Sequence, residues 1–395
     1  MPAICSHTTT IKRPPGEYRA MSRLSEQDRE RIADLFDRHL EAGLHHGAQL
    51  AVYVDGEPVI DLAGGVEAPD GPPETRETRH ILFSSTKPYA AVTLHSLVEE
   101  GELAYDDRVV DHWPEFADEG TEKAEITVRQ VLSHTSGLNR GEIDDRPDLW
   151  GDWGAVVEKL EAMEPNFTPG ETPAYHALTF GWLVGELVRR VSGTPIEEAA
   201  EARVFDPLGL ADTGIGLRDD EDDDVATLVG FEPFDRCRDP DEGLGKNAEV
   251  AAPFNSEEVH RAVIPAANGI GTAGDMARFY ACLANGGELE GTQLLESETV
   301  KRMTQVQAET EADGTIGREG RFALGFWKGG TTVAPYGTLS PKHVFGHAGL
   351  GSSVGWADPE ANVGFAYVTN GVRDGSYEHV ARVNALGDAV RHALQ

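Results

Sequence analysis

With 395 residues, 39% of them hydrophobic, and six Trp, the chain is long enough for two packed lobes. It carries 68 Asp and Glu against 34 Lys and Arg, a formal charge of −34 spread along its whole length, which argues against nucleic acid or an anionic membrane as a partner. Self-repulsion on this scale is tolerable where salt screens it, because the Debye length falls to about 3 Å in molar salt; the composition therefore points to a salt-rich cytoplasm.

Residues 1–22 read as a polar, mildly basic, flexible leader, and Met21 precedes a better helix start. A helix is predicted from about Ser25 to Ala42, capped by Ser25, with Ile32, Leu35, Phe36 and Leu40 on one stripe. Gln49–Val54 and Pro58–Ala63 flank Asp55-Gly56, a hairpin turn dipeptide. An amphipathic helix is expected to follow Ser84, with Pro88 in its first turn, Ala91, Leu94 and Val98 on its apolar stripe, and Glu100-Gly101 as its stop. From Leu103 to Val263 the pattern is mostly helical, clearest at Thr179–Val191, which Gly193 ends. Asp219–Asp224 lacks the glycine of an EF-hand calcium loop and reads as a solvated turn. Ser353–Ala357 and Val363–Thr369 form a second hairpin, and a last helix covers about Tyr377–Leu394.

Helices beside antiparallel hairpins at both ends predict an α/β fold of the α+β type. Residues 23–100 and 264–395 would build an antiparallel sheet flanked by terminal helices, and 101–263 a helical inserted lobe. Cys5, Cys237 and Cys282 are odd in number and without metal or redox spacing, which suits a reducing compartment.

The chemistry concentrates at Ser84-Ser85-Thr86-Lys87. Residues three apart share a helix face, so the Ser84 hydroxyl and the Lys87 amine are placed together. A desolvated amine accepts the proton that keeps a serine from being a nucleophile. Only eight Lys occur, and Lys87 alone has Ser three positions before it. By itself the pair is a weak signal, because a Ser that opens a helix is more often just an N-cap.

Phe83-Ser84-Ser85-Thr86-Lys87 resembles the first motif of the serine β-lactamase and penicillin-binding-protein superfamily. Leu132-Ser133-His134-Thr135-Ser136-Gly137-Leu138 is similar to a landmark of its class C branch. Pro169-Gly170 followed by Tyr175, then Gly269–Arg278, then Gly346-His347-Ala348-Gly349, resemble later segments in the same order. The resemblance implies a β-lactamase/transpeptidase-like fold and an acyl-enzyme on Ser84. Lys87 and Tyr175 would be the proton-transfer couple, and the N–H groups of Ser84 and Leu350, beyond Gly349, the oxyanion hole. Two departures matter. Tyr175-His176-Ala177 lacks the Asn of the family's Tyr-x-Asn, and His347-Ala348-Gly349 replaces Lys-Thr-Gly. Both favour a small or medium ester over a lactam, with His347 either contacting substrate or filling space. A D-aminopeptidase, a weak β-lactamase and a catalytically silent scaffold are the competing readings.

Gly351-Ser352-Ser353-Val354-Gly355 matches a nucleophile elbow, but a strand rather than a helix is expected after it. His134 and Ser136 read as a structural cap and turn. His343 and His347 lack a zinc-binding context, so neither metal nor cofactor is expected. Trp150, Trp153 and Tyr336 fall in regions able to wall a cleft or simply to pack.

Overall fold

The computed structural model describes residues 23–230, 246–338, 340–373 and 376–395. The leader, Cys5 and Cys237 lie outside the described residues.

The chain opens with helix α1 (Glu26–Glu41), whose Ser25 side chain accepts from Asp28 N at 3.1 Å, as its capping sequence predicts. Strands β1 (Gly47–Val54) and β2 (Glu57–Gly65) pair antiparallel around Asp55 and Gly56, both at positive φ. Helix α2 (Lys87–Glu99) is preceded by a 3-10 turn over Ser84–Thr86. Helix α3 (Thr179–Ser192) ends on Gly193 at φ +74, the left-handed conformation that Gly adopts at least cost. Helix α4 (Ala273–Ala284) then leads back to the sheet. The remaining strands are β3 (Ala308–Thr310), β4 (Gly320–Phe322), β5 (Trp327–Lys328), β6 (Phe345–Ala348), β7 (Ser353–Asp358) and β8 (Val363–Thr369), and helix α5 (Ser376–Ala393) closes the chain.

The eight strands form one sheet in the order β2-β1-β8-β7-β6-β5-β4-β3, all neighbours antiparallel. Side chains alternate between its faces. Val363, Phe365 and Tyr367 of β8, with Trp356 of β7, pack in the cluster that holds Ile32 and Phe36 of α1 and Val383 and Leu386 of α5. Ala366 and Val368 face the other way, into the core shared with α4. Two glycines allow α4 to lie close. A Cβ on Gly355 would meet the Tyr280 ring at 2.2 Å, and one on Gly364 would meet Ala281 N at 2.4 Å.

Two expectations differ from the structure. α2 is not amphipathic: Lys87 to Leu97 is buried on almost every side, because the helix packs on α3 and the short helices after it as well as near β6. The acidic run 219–224 is also more than a solvated turn. Asp224 and Glu221 pair with Arg79, and Asp223 Oδ1 lies 2.6 Å from His260 Nδ1. The run ties a surface loop to the strand before the Ser84 turn.

Candidate active site

Phe83 enters the Ser84 turn at φ 44 and ψ −135, a left-handed backbone that a bulky residue holds only under constraint. The constraint is visible on both sides. Thr86 Oγ1 donates to Phe83 O at 2.6 Å and accepts from Gly269 N at 2.7 Å. Ser353 Oγ donates to Leu82 O at 2.5 Å and lies 3.0 Å from Ser85 Oγ. Ser353 is thus wholly buried in a bracing role at the start of β7, with a strand after it; the elbow geometry is missing. Gly349 completes the brace. A Cβ there would meet Ser353 Oγ at 2.2 Å and Leu82 O at 2.5 Å, so only Gly lets the end of β6 approach the turn.

This bracing leaves Ser84 half-buried and Lys87 wholly buried beneath it. Lys87 Nζ lies 3.0 Å from Ser84 Oγ, and it donates to Ala177 O at 2.7 Å and Ala266 O at 3.0 Å. Among the described residues, no carboxylate pairs with it directly. Burial pushes its pKa well below the usual 10.5, opposed by the more distant charge of Asp144.

Tyr175 stands over the same amine, its ring centroid 4.9 Å from Lys87 Nζ. Burial raises the phenol pKa, and a hydrogen bond with Ser84 only partly offsets this. Its backbone is held from a distance. Asp313 accepts from Tyr175 N at 2.9 and 3.1 Å, and from Thr315 N and Ile316 N at 2.8 Å each.

The His134–Gly137 turn supports the Tyr175 loop from below. His134 O accepts from Ala174 N at 2.9 Å and His134 Nδ1 from His176 N at 3.1 Å. His176 Nδ1 faces Ala174 O at 2.6 Å, so that nitrogen carries the proton, and Nε2 accepts from Ser136 Oγ at 2.6 Å. Burial brings His176 down to about 4 and holds His134 well below the usual 6.5.

His347, on β6, is fully buried, its ring 5.9 Å from that of Tyr175 and 5.0 Å from that of Trp327. Its Nδ1 lies 2.8 Å from Ala348 O, which assigns the proton to Nδ1, and Nε2 has no partner among the described residues. Burial takes its pKa down to about 3. His343 is elsewhere, paired with Asp358 and Glu360, and the described residues hold no cluster suited to a metal. Ser84 N opens the 3-10 turn, where an N–H has no acceptor within the turn, and Leu350 is the next residue after Gly349, which packs against Leu82 and Phe83.

Ser84, Lys87, Tyr175, His347 and Gly349 therefore converge, although they are as far as 265 residues apart in sequence. Trp150 and Trp153 do not join them: their indole N–H groups are spent on Ile143 O and Glu186. Tyr336 lines a crevice beside Trp327. Sequence reasoning missed Asp313, Asp144 and Trp327. Asp313-Gly314-Thr315 is legible as a turn, but its bond to a residue 138 positions away carries no local signal.

The family described as Beta-lactamase matches residues 32–389. The esterase/beta-lactamase LipL of Mycobacterium tuberculosis is 35% identical over 340 residues, 82% of this chain and 77% of that protein. A penicillin-binding-protein homologue from Caulobacter crescentus superposes with a TM-score of 0.79 at 35% identity, covering 94% of this chain and 98% of its own. A family VIII carboxylesterase superposes with a TM-score of 0.77 at 28% identity, covering 92% and 98%.

Proposed function

The chain belongs to the Beta-lactamase family, and within it we propose a serine ester hydrolase that acts through an acyl-enzyme on Ser84. The observation that carries the assignment of the nucleophile is a buried amine, with no directly paired carboxylate among the described residues, 3.0 Å from a half-buried hydroxyl.

The opposite pKa directions of Lys87 and Tyr175 divide the labour. Lys87, pushed toward its neutral form, takes the Ser84 proton as Oγ attacks the ester carbonyl. Tyr175 stays protonated and passes its proton to the leaving alkoxide, then recovers one from Lys87 across the ring contact. The N–H groups of Ser84 and Leu350 would hold the oxyanion, an interaction that strengthens as charge develops on the carbonyl oxygen. Water, deprotonated by the same couple, then releases the acid and restores Ser84. Protein groups and water handle every bond and proton in this scheme.

His347 and Ala177 set the preference for esters. Ala177 presents only its carbonyl, used by Lys87, and a methyl group that cannot bond an acylamide. His347 is neutral where the family's Lys would be charged. With this reading go a two-lobe division into 23–100 with 264–395 and 101–263, a small-molecule ester as the only ligand, and a salt-rich cytoplasm as the setting. No helix among the described residues is long and apolar enough to cross a membrane.

The test is side-by-side turnover of 4-nitrophenyl butyrate and a chromogenic cephalosporin in molar salt. The butyrate is expected to be the better substrate; faster cephalosporin hydrolysis would overturn the ester preference.

A further inference from the structure

Two groups near Ser84 lack the ion pairs that other charges in this chain find. Lys87 Nζ bonds to the Ser84 hydroxyl and to two backbone carbonyls. Asp144, half-buried in a 3-10 turn over Glu142–Asp145, has no cation within ion-pair distance among the described residues. Its neighbours Glu142 and Asp145 do find partners, in Arg146, Lys159 and Arg140.

One peptide group joins the two. Ala177 O accepts from Lys87 Nζ at 2.7 Å, and Leu178 N, the other end of the same peptide, donates to Asp144 Oδ1 at 3.3 Å. The peptide dipole is oriented to favour both charges, its N–H end toward the carboxylate and its C=O end toward the amine. Across this bridge the amine and the carboxylate are no more than about 8 Å apart. Gly141 N donates to Asp144 Oδ2 at 2.8 Å, so both carboxylate oxygens accept and neither needs a proton. Burial lifts the Asp144 pKa above the usual 3.8, and these two backbone bonds and the charge of Arg140 limit the rise. A second tie, from Thr179 Oγ1 to Leu138 O at 2.7 Å, holds the same loop against the residues that follow Tyr175.

The other ionisable groups that face Lys87 are Tyr175, His134, His176 and His347, all kept neutral by burial. Those that face Asp144 are Arg140 and Asp145, which pair with each other at the surface. Among the described residues, Asp144 is therefore the carboxylate placed to act on the amine. Such a charge is needed at one moment in particular: once Lys87 has taken the Ser84 proton, it is a buried cation, and a buried charge is costly unless balanced.

We propose that Asp144 is a positioning residue for acylation: through the Ala177–Leu178 peptide it aims a carbonyl at Lys87 and balances the positive charge that the amine acquires from Ser84. The proton passes from Ser84 Oγ to Lys87 Nζ as Oγ bonds to the ester carbonyl carbon, and Asp144 itself exchanges no proton. The proposal rests on the ester-hydrolase reading above.

Asp144→Asn removes the charge at nearly constant shape, and Asp148→Asn, which neutralises an exposed acid of the same loop, is its control. With 4-nitrophenyl butyrate, kcat/KM rises with pH as Lys87 loses its proton. In Asp144→Asn this limb should move to lower pH by about one pH unit, because the opposite charge that helped to keep the proton on the amine is gone. The plateau kcat should fall about tenfold with KM little changed, and Asp148→Asn should match the wild type in both respects. An Asp144 that only holds the loop together would lower the plateau without moving the limb, and that result would overturn the proposal. A second arm is independent of turnover. In protein carrying isotope-labelled lysine, nuclear magnetic resonance follows the ε-methylene signals of the eight Lys, with that of Lys87 assigned through Lys87→Met. Its titration midpoint should fall in Asp144→Asn by the same amount as the limb. Asp144→Ser, equally uncharged, should give the same shifts and replaces the Asn variant if that one does not fold. An unmoved midpoint beside an active wild type would overturn the role of Asp144 and leave the hydrolase reading intact. A midpoint that falls in a protein without esterase turnover would uphold the link between Asp144 and Lys87 and remove the hydrolase reading instead.

Discussion

Around Ser84, the ionisable groups Lys87, His134, Tyr175, His176 and His347 are all buried, and burial moves each toward its neutral form. On the outer surface, Arg140, Arg146 and Arg218 stay charged and hold Asp145, Asp148 and Glu201 in pairs bathed by water. The same side-chain chemistry has different consequences in the two regions. In water, attraction between exposed charges is screened and offset by side-chain entropy. In the seam, one hydrogen bond or one missing charge decides which group carries a proton.

Lys87→Met would sharpen that contrast most. It should reduce kcat by about four orders of magnitude, since the proton acceptor is lost. It should also raise Tm, because an apolar side chain of similar length no longer carries the cost of burying an amine. The sign follows from linkage: the unfolded chain binds a Lys proton below about pH 10.5 that the folded chain holds less tightly, so at neutral pH the amine lowers stability. A lower Tm for this variant would break the comparison. Tyr175→Phe should cost about 10²–10⁴ in kcat with the fold retained by circular dichroism, since the Asp313 bonds reach the backbone and not the phenol.

Acid should act on the seam before it acts on ordinary carboxylates. Unfolded imidazoles take up protons near pH 6.5, whereas folded His176 does so at about 4 and His347 at about 3. Between those values the unfolded state binds more protons, so stability present above pH 6.5 is lost as pH falls. Urea midpoints should therefore begin to drop between about pH 6.5 and 5.5; a flat profile there would contradict the buried-neutral account. The smallest effect belongs to the surface. Arg146→Ala should leave kcat/KM unchanged and Tm within about 1 °C, and a larger drop would show the exposed pairs to matter more than screening allows.

Periodicity made the two hairpins, β1–β2 and β7–β8, and the terminal helices legible, whereas the short strands β3, β4 and β5 carry too few residues to show an alternation. Ser25, Asp55-Gly56 and Gly193 stand at a cap, a turn and a stop, because those roles depend on near neighbours. α2 was misread as amphipathic, since a helix enclosed between the sheet and other helices has no wet face for its sequence to declare. Within the site, Ser84 and Lys87 were readable because three residues separate them, and Tyr175 and His347 because their motifs occur in a known order. The supports were not readable. Asp313, the Ser353 brace and the Phe83 backbone depend on partners brought close by folding, and no local pattern distinguishes them from ordinary polar or aromatic residues.

The nucleophile can be tested directly with a fluorophosphonate probe, intact-mass analysis and peptide mapping on the wild type, Ser84→Ala and Ser353→Ala. The account predicts one adduct, on Ser84, that disappears in Ser84→Ala and persists in Ser353→Ala. An adduct mapped to Ser353, or labelling that survives Ser84→Ala, would contradict it.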